Sequence, residues 1–129
     1  LSHSPFRNRN RTENPKERII MEFLNRIEIK GVVGSIRTTT LDNKHAVRFS
    51  LATEYSYKAK DGMYVVETAW FSVMGFESDG ITLSTIENLK RGNNVYVVGR
   101  VRQQRYVDGN GIEQSQNEIM AQTVSIINQ

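Results

Sequence analysis

The sequence predicts an all-β domain: a five-stranded Greek-key barrel with one short helix between the third and fourth strands. Three observations carry this expectation. Apolar and polar residues alternate in several separate runs, and a period of two marks a strand with one buried face. Turn signals such as Asp61-Gly62 and Asp108-Gly109 stand between the runs. Helical spacing occurs once, at Leu83, Ile86 and Leu89. A chain of 129 residues with 38% hydrophobic content has material for a single core.

The first strand begins at Leu24, with Ile27, Ile29 and Val33 on one side and Arg26, Glu28 and Lys30 on the other. Gly31 and Gly34 mark a bulge or sharp curve in it, and Val32 falls outward by parity. Asp42-Asn43-Lys44 turns the chain into a second strand, where Val47, Phe49 and Leu51 alternate with Arg48, Ser50 and Ala52. Tyr55 and Tyr57 lead to the loop 58–62, and the third strand runs from Tyr64 to Phe76. There Trp70, Ser72, Met74 and Phe76 oppose Phe71 and Val73.

The helix is expected over residues 83–90, capped by Ser84 or Asp79 and stopped by Gly92. Lys90 and Arg91 would then answer its dipole. A fourth strand extends from Asn94 to Tyr106, with Val95, Val97, Gly99 and Val101 opposite Tyr96, Val98, Arg100 and Arg102. Past the turn 108–111, a fifth strand returns through Ile119 and Ala121 toward Val124 and Ile126. Three strands, a helix and two strands is the order of the oligonucleotide/oligosaccharide-binding barrel, the OB-fold. A barrel of other topology is the competitor.

Composition closes several functions. There is no cysteine, hence no disulfide framework and no thiolate site. His3 and His45 lie far apart with no partner at ligand spacing, so neither a metal site nor a cofactor is expected. The carboxylates are scattered rather than clustered, which argues against a nuclease or another enzyme. No stretch is apolar enough to span a bilayer, and the N-terminus carries charges where a secretory signal is apolar. The expectation is a soluble, cytoplasmic protein with no membrane partner.

The formal charge is +3, from 17 basic and 14 acidic residues. Five of the basic residues and two of the acidic ones fall in residues 1–20, which leaves 12 of each sign in the remainder. Residues 1–20 therefore constitute a polar, basic extension expected to be disordered. It is either a genuine phosphate-attracting arm or a non-native stretch upstream of a true start at Met21. The domain proper, 21–129, is neutral, so any claim on nucleic acid rests on where its charges and rings stand.

Aromatic rings and arginines share the faces opposite the expected core, a combination suited to stacking bases and tracking phosphates. Trp70 is either padding on a barrel wall or a groove ring, and its parity opposite Phe71 and Val73 favours the groove. Phe76 has the same parity, with a core position beneath the helix as its alternative. Tyr57 and Tyr106 flank turns and could equally cover a barrel end. Arg100, Arg102 and Arg105 on the fourth strand, and Arg48, Lys58 and Lys60 on or near the second, are the candidate phosphate contacts. A merely solvated charged face is their default reading.

Several blocks in order resemble the bacterial single-stranded DNA-binding protein family: 24–31 (LNRIEIKG), 49–53 (FSLAT), 67–70 (ETAW) and 89–101 (LKRGNNVYVVGRV). The resemblance is collinear over roughly residues 22–126. It implies an OB-fold, usually a homotetramer, that coats exposed single strands during DNA replication, recombination and repair. Carried over by position, the family's stacking residues fall on Tyr57, Trp70, Phe76 and Tyr106. A tyrosine at positions that are often tryptophan keeps a smaller stacking face, in a contact worth about 1–3 kcal/mol per base.

The chain also departs from the family. Ala69-Trp70-Phe71-Ser72-Val73 stands where relatives commonly have Glu-Trp-His-Arg-Val, losing a basic groove contact at Ser72 and an interface histidine at Phe71. The acidic tip through which relatives recruit repair enzymes is not found before Gln129. The expected partners are single-stranded DNA and further copies of the chain, a tetramer before a dimer. DNA is not distinguished from RNA. The alternative function is an accessory or protein-interaction module of the replication machinery that has lost strand coating.

Overall fold

The computed structural model describes residues 22–127. The basic stretch 1–20, Met21 and residues 128–129 lie outside the described residues. The first strand, β1 (Ile27–Leu41), is long enough to serve two neighbours and so closes the barrel. Its first half pairs antiparallel with β4 (Asn94–Val107), from Ile27 opposite Gly99 to Val32 opposite Asn94. Its second half pairs with β2 (Lys44–Lys58), from Val32 opposite Ala52 to Leu41 opposite Lys44.

The exchange falls where the glycines predict a bend. A side chain at Gly31 would run into the carbonyl oxygen of Ala52, and the register with β2 slips between Val33 and Ile36, the bulge expected around Gly34. At the end of β1 the chain reverses through Asp42 and Asn43, both at positive φ. These residue types tolerate that conformation because their short polar side chains bond locally.

From β2 the sheet continues through β3 (Tyr64–Phe76), β5 (Glu113–Ile127) and β4 before returning to β1. The β3–β5 contact is parallel and short, with Val73 opposite Ile119 and Met74 opposite Met120. Beyond it the β2–β3 and β4–β5 hairpins run on as two arms. They leave the same end of the barrel, because β3 and β5 run in the same direction. This closed order is the OB-fold that the sequence predicts.

The inner face holds Ile29, Val33, Val47, Phe49, Leu51, Val73, Val95, Val97, Ile119 and Val124, all buried. On β5 the inward parity changes from Ile119 to Val124. The cause is a bulge: Val98 pairs with Thr123 and Gly99 with Ala121, so Gln122 is the extra residue. One end of the barrel is stoppered by Ile81, Ile86 and Leu89.

The helix, α1 (Leu83–Asn88), is shorter than expected. Its N-cap is Thr82, not Ser84 or Asp79, and the Thr82 hydroxyl accepts the Thr85 N–H at 3.2 Å. Lys90 and Arg91 fall beyond the helix, whose last turn contains no basic residue. They belong instead to the turn that leads to Asn93, whose side-chain oxygen accepts the Lys90 N–H at 2.6 Å.

Candidate nucleic-acid interface

The outer face of the barrel presents one large ring. Trp70 is 62% exposed, opposite Ala52 on β2. The edge of its indole lies across the β1 bulge. An ideal Cβ placed on Gly34 would stand 2.7 Å from Cζ3 of Trp70 and 2.6 Å from Oγ of Ser50. Glycine at this point leaves room for the ring edge to reach from β3 to β1 while most of the indole stays exposed.

Beside Trp70 lies a charge cluster that the sequence-level candidates include only in part. Glu118 of β5 is 1% exposed and stands opposite Arg102 of β4. Arg102 donates to Glu118 Oε1 from Nε at 3.2 Å and from Nη2 at 2.9 Å. Arg48 donates from Nη1 to Glu118 Oε2. Both guanidiniums remain partly open to water, with side chains 41% exposed for Arg48 and 35% for Arg102. One buried carboxylate thus holds two arginines from separate strands on the outer surface, with one positive charge in surplus.

Met74 shares the parity of Trp70 yet is buried. It sits in the same cross-strand row as Arg48 and Met120, its neighbours on either side. Arg100, next in that row, is exposed and has no side-chain partner among the described residues.

The other candidates separate. Phe76 keeps the outward parity but is half-buried opposite Ala46, six residues and about 20 Å along the strand from Trp70. Tyr106 is 48% exposed on the outward parity of the β4–β5 arm, opposite Gln114. Arg105, one residue earlier, points to the other side of that arm. Tyr57 lies on the opposite face of the β2–β3 arm from Trp70. It pairs with Tyr55, ring centroids 6.0 Å apart, and its hydroxyl donates to Glu67 at 3.5 Å. Lys58 and Lys60 stand at the tip, around a turn closed by the Gly62 N–H on the Ala59 carbonyl at 3.0 Å.

Tyr96 belongs to a different surface. Its hydroxyl donates to Glu28 at 2.5 Å, and Lys30 Nζ lies 6.0 Å from its ring centroid. The hydrogen bond from Tyr96, followed by Arg26, holds the Glu28 carboxyl below its ordinary pKa, and the same bond raises the Tyr96 phenol. The ring thus ties β4 to β1 rather than joining the arginines.

Three residues of this candidate surface are not among those singled out from the sequence. Glu118 stands out in the sequence only as an acid immediately before an apolar run, and its two partners depend on strand register. Tyr55, 67% exposed, is more open than Tyr57 at 38% but lacks a position in the family pattern. Arg37 lies directly opposite Arg48.

An OB barrel with an exposed indole laid on its outer sheet, flanked by anchored guanidiniums, is a protein of the oligonucleotide-binding class. The chain belongs to the single-strand binding protein family, whose model matches residues 24–127. It is 32% identical over 111 residues to single-stranded DNA-binding protein 1 of Xylella fastidiosa, covering 83% of this chain and 79% of that one. It is 26% identical over 125 residues to the mitochondrial single-stranded DNA-binding protein of Drosophila melanogaster, covering 96% of this chain and 85% of its relative. Among solved structures, the Plasmodium falciparum SSB complex with ssDNA superposes with a TM-score of 0.74 at 21% identity, covering 84% of this chain and 98% of that one. No described helix is long and apolar enough to cross a membrane.

Proposed function

We propose that this chain binds single-stranded DNA with little sequence preference, without catalysis, and protects it during replication, recombination and repair. Bases stack on Trp70 and on the tyrosines of the two arms, and cations beside them meet the phosphates. The observation that carries this reading is the placement of Trp70: a soluble barrel gains nothing from leaving an indole 62% exposed on a glycine that fits it, whereas a base needs that open π-face. Ser72 is one of the grounds for the accessory-module alternative, but the surface there keeps basic groups, because Arg48 and Arg102 are both bonded to Glu118. Among the described residues no group of three or more His, Asp or Glu could hold a metal ion.

Assembly as a homotetramer is part of the same proposal. The outer side of β1, where Val32 is 42% exposed, offers a surface, and sedimentation equilibrium measures the stoichiometry. The cytoplasm is the compartment proposed for this chain, although one of the named relatives is mitochondrial.

Trp70→Ala tests the reading. Loss of one stacking contact of about 1–3 kcal/mol lowers oligo(dT) affinity roughly 5- to 150-fold, measured by anisotropy of a labelled strand. A folded variant with unchanged affinity would remove Trp70, and the groove with it, from the proposal.

A further inference from the structure

Arg37 and Arg48 are cross-strand partners on the outer face of β1 and β2. Like charges directly opposite each other destabilise a sheet, and only one of this pair is compensated. Arg48 is bonded to Glu118, whereas the Arg37 guanidinium has no side-chain partner among the described residues. The two arginines line a groove of about 240 Å³ together with Ser35, Ser50 and Ser72, and Ser50 Oγ and the Trp70 ring edge meet at Gly34.

The hydroxyls of this groove have a defined polarity. Ser50 Oγ already accepts the Ser35 N–H at 2.8 Å, and the two serine oxygens lie 3.2 Å apart. Only one proton can occupy the line between those oxygens. Whichever serine donates along it, the other hydroxyl hydrogen is left to point elsewhere, as a donor beside two cations. Donors and positive charge converge here, and no carboxylate lines the groove.

We infer that this groove is a phosphate subsite, in which Arg37, Arg48 and the Ser35–Ser50 hydroxyl pair hold one phosphodiester of a strand stacked on Trp70. The inference rests on the single-strand reading above and adds Arg37 to it. Glu118 is the positioning residue: its bond to Arg48 holds that guanidinium at the groove that Ser72 also lines, so the subsite is built before the strand arrives. Ser72 stands opposite Ser50, one residue before the Val73–Ile119 pair, as Glu118 is on β5. A long side chain there would occupy the path of Arg48.

Arg37→Ala tests the subsite, with Lys44→Ala in the β1–β2 turn as an equal loss of charge outside it. Oligo(dT) affinity is measured against salt for both variants and the parent chain. Loss of one phosphate contact lowers the slope of log K against log salt by about 0.7 in Arg37→Ala and leaves the slope of Lys44→Ala unchanged. The thermal midpoint of Arg37→Ala stays level or rises, since an uncompensated like-charge pair has been removed. An unaltered slope in Arg37→Ala, or an equal fall in both variants, overturns the subsite while strand binding by the parent chain stands. A parent chain that does not bind the strand ends both readings. Repeating the titration in sodium phosphate at matched ionic strength separates the sources of the anion. Extra competition by phosphate in the parent chain, absent in Arg37→Ala and accompanied by equal salt slopes, assigns the groove to free phosphate and overturns the diester.

Discussion

Glu118→Gln is expected to destabilise the barrel by about 2 kcal/mol, a value set between two limits. Breaking a fully buried ion pair costs about 3–5 kcal/mol because a charge is left without water or partner, whereas an exposed pair is worth about 0–1 kcal/mol. This carboxylate is buried to 1% exposure, but its guanidinium partners keep 41% and 35% of their side-chain surface. Water can therefore take them back when the negative charge is removed. Glutamine keeps the shape and one acceptor oxygen but turns an N–H₂ toward one of the arginines. At roughly 4 °C per kcal/mol for a domain of this size, the thermal midpoint falls by about 8 °C. Urea unfolding of the parent chain, Glu118→Gln, Arg48→Ala and the double variant measures both the loss and the coupling, which should reach about 1 kcal/mol between the two positions. A loss below about 0.5 kcal/mol in Glu118→Gln, or additive single effects, would show that the carboxylate does not hold the arginines.

Gly34→Ala brings a methyl group within 2.7 Å of the Trp70 ring, so the ring must lift from the sheet. Oligo(dT) affinity is expected to fall while circular dichroism stays native, and unchanged affinity would mean that the ring does not use this seat. Acid should destabilise the fold in a defined direction. Glu28, Glu77 and Asp108 all have lowered pKa values, held down first by Tyr96, by His45 and by the Ile112 N–H respectively. Their contribution is complete above the ordinary carboxylate range, near pH 4, and is lost as pH falls through the lower folded values. A urea midpoint that held constant or rose from pH 5 to pH 3 would contradict these hydrogen bonds.

The barrel was legible because its inward residues alternate cleanly. Val47, Phe49 and Leu51, or Val95 and Val97, have no second reading once the period is two, and the glycines of β1 sit where the chain passes from one neighbour to the other. The helix cap was less legible because Thr82, Ser84 and Asp79 are all competent N-caps, and only the path of the chain out of β3 selects Thr82. Trp70 is legible twice, from its parity opposite Phe71 and Val73 and from the position it shares with the family's stacking residues. Tyr57 and Arg105 were named, but parity turns them to the opposite sides of their arms from Trp70 and Tyr106. Period two carried to the strand tips gives the same sides. Glu118 lay beyond such reasoning, since its importance comes from three registers, β5 with β4, β5 with β3 and β3 with β2, that no local pattern encodes.

The most direct test of single-strand binding is a titration of the intrinsic Trp70 fluorescence with oligo(dT) at two salt concentrations, with duplex DNA of equal length as the control. Strong quenching by the single strand, weakened by salt and nearly absent with duplex, is the predicted result. Equal quenching by duplex, or none by the single strand at low salt, would contradict the stacking groove.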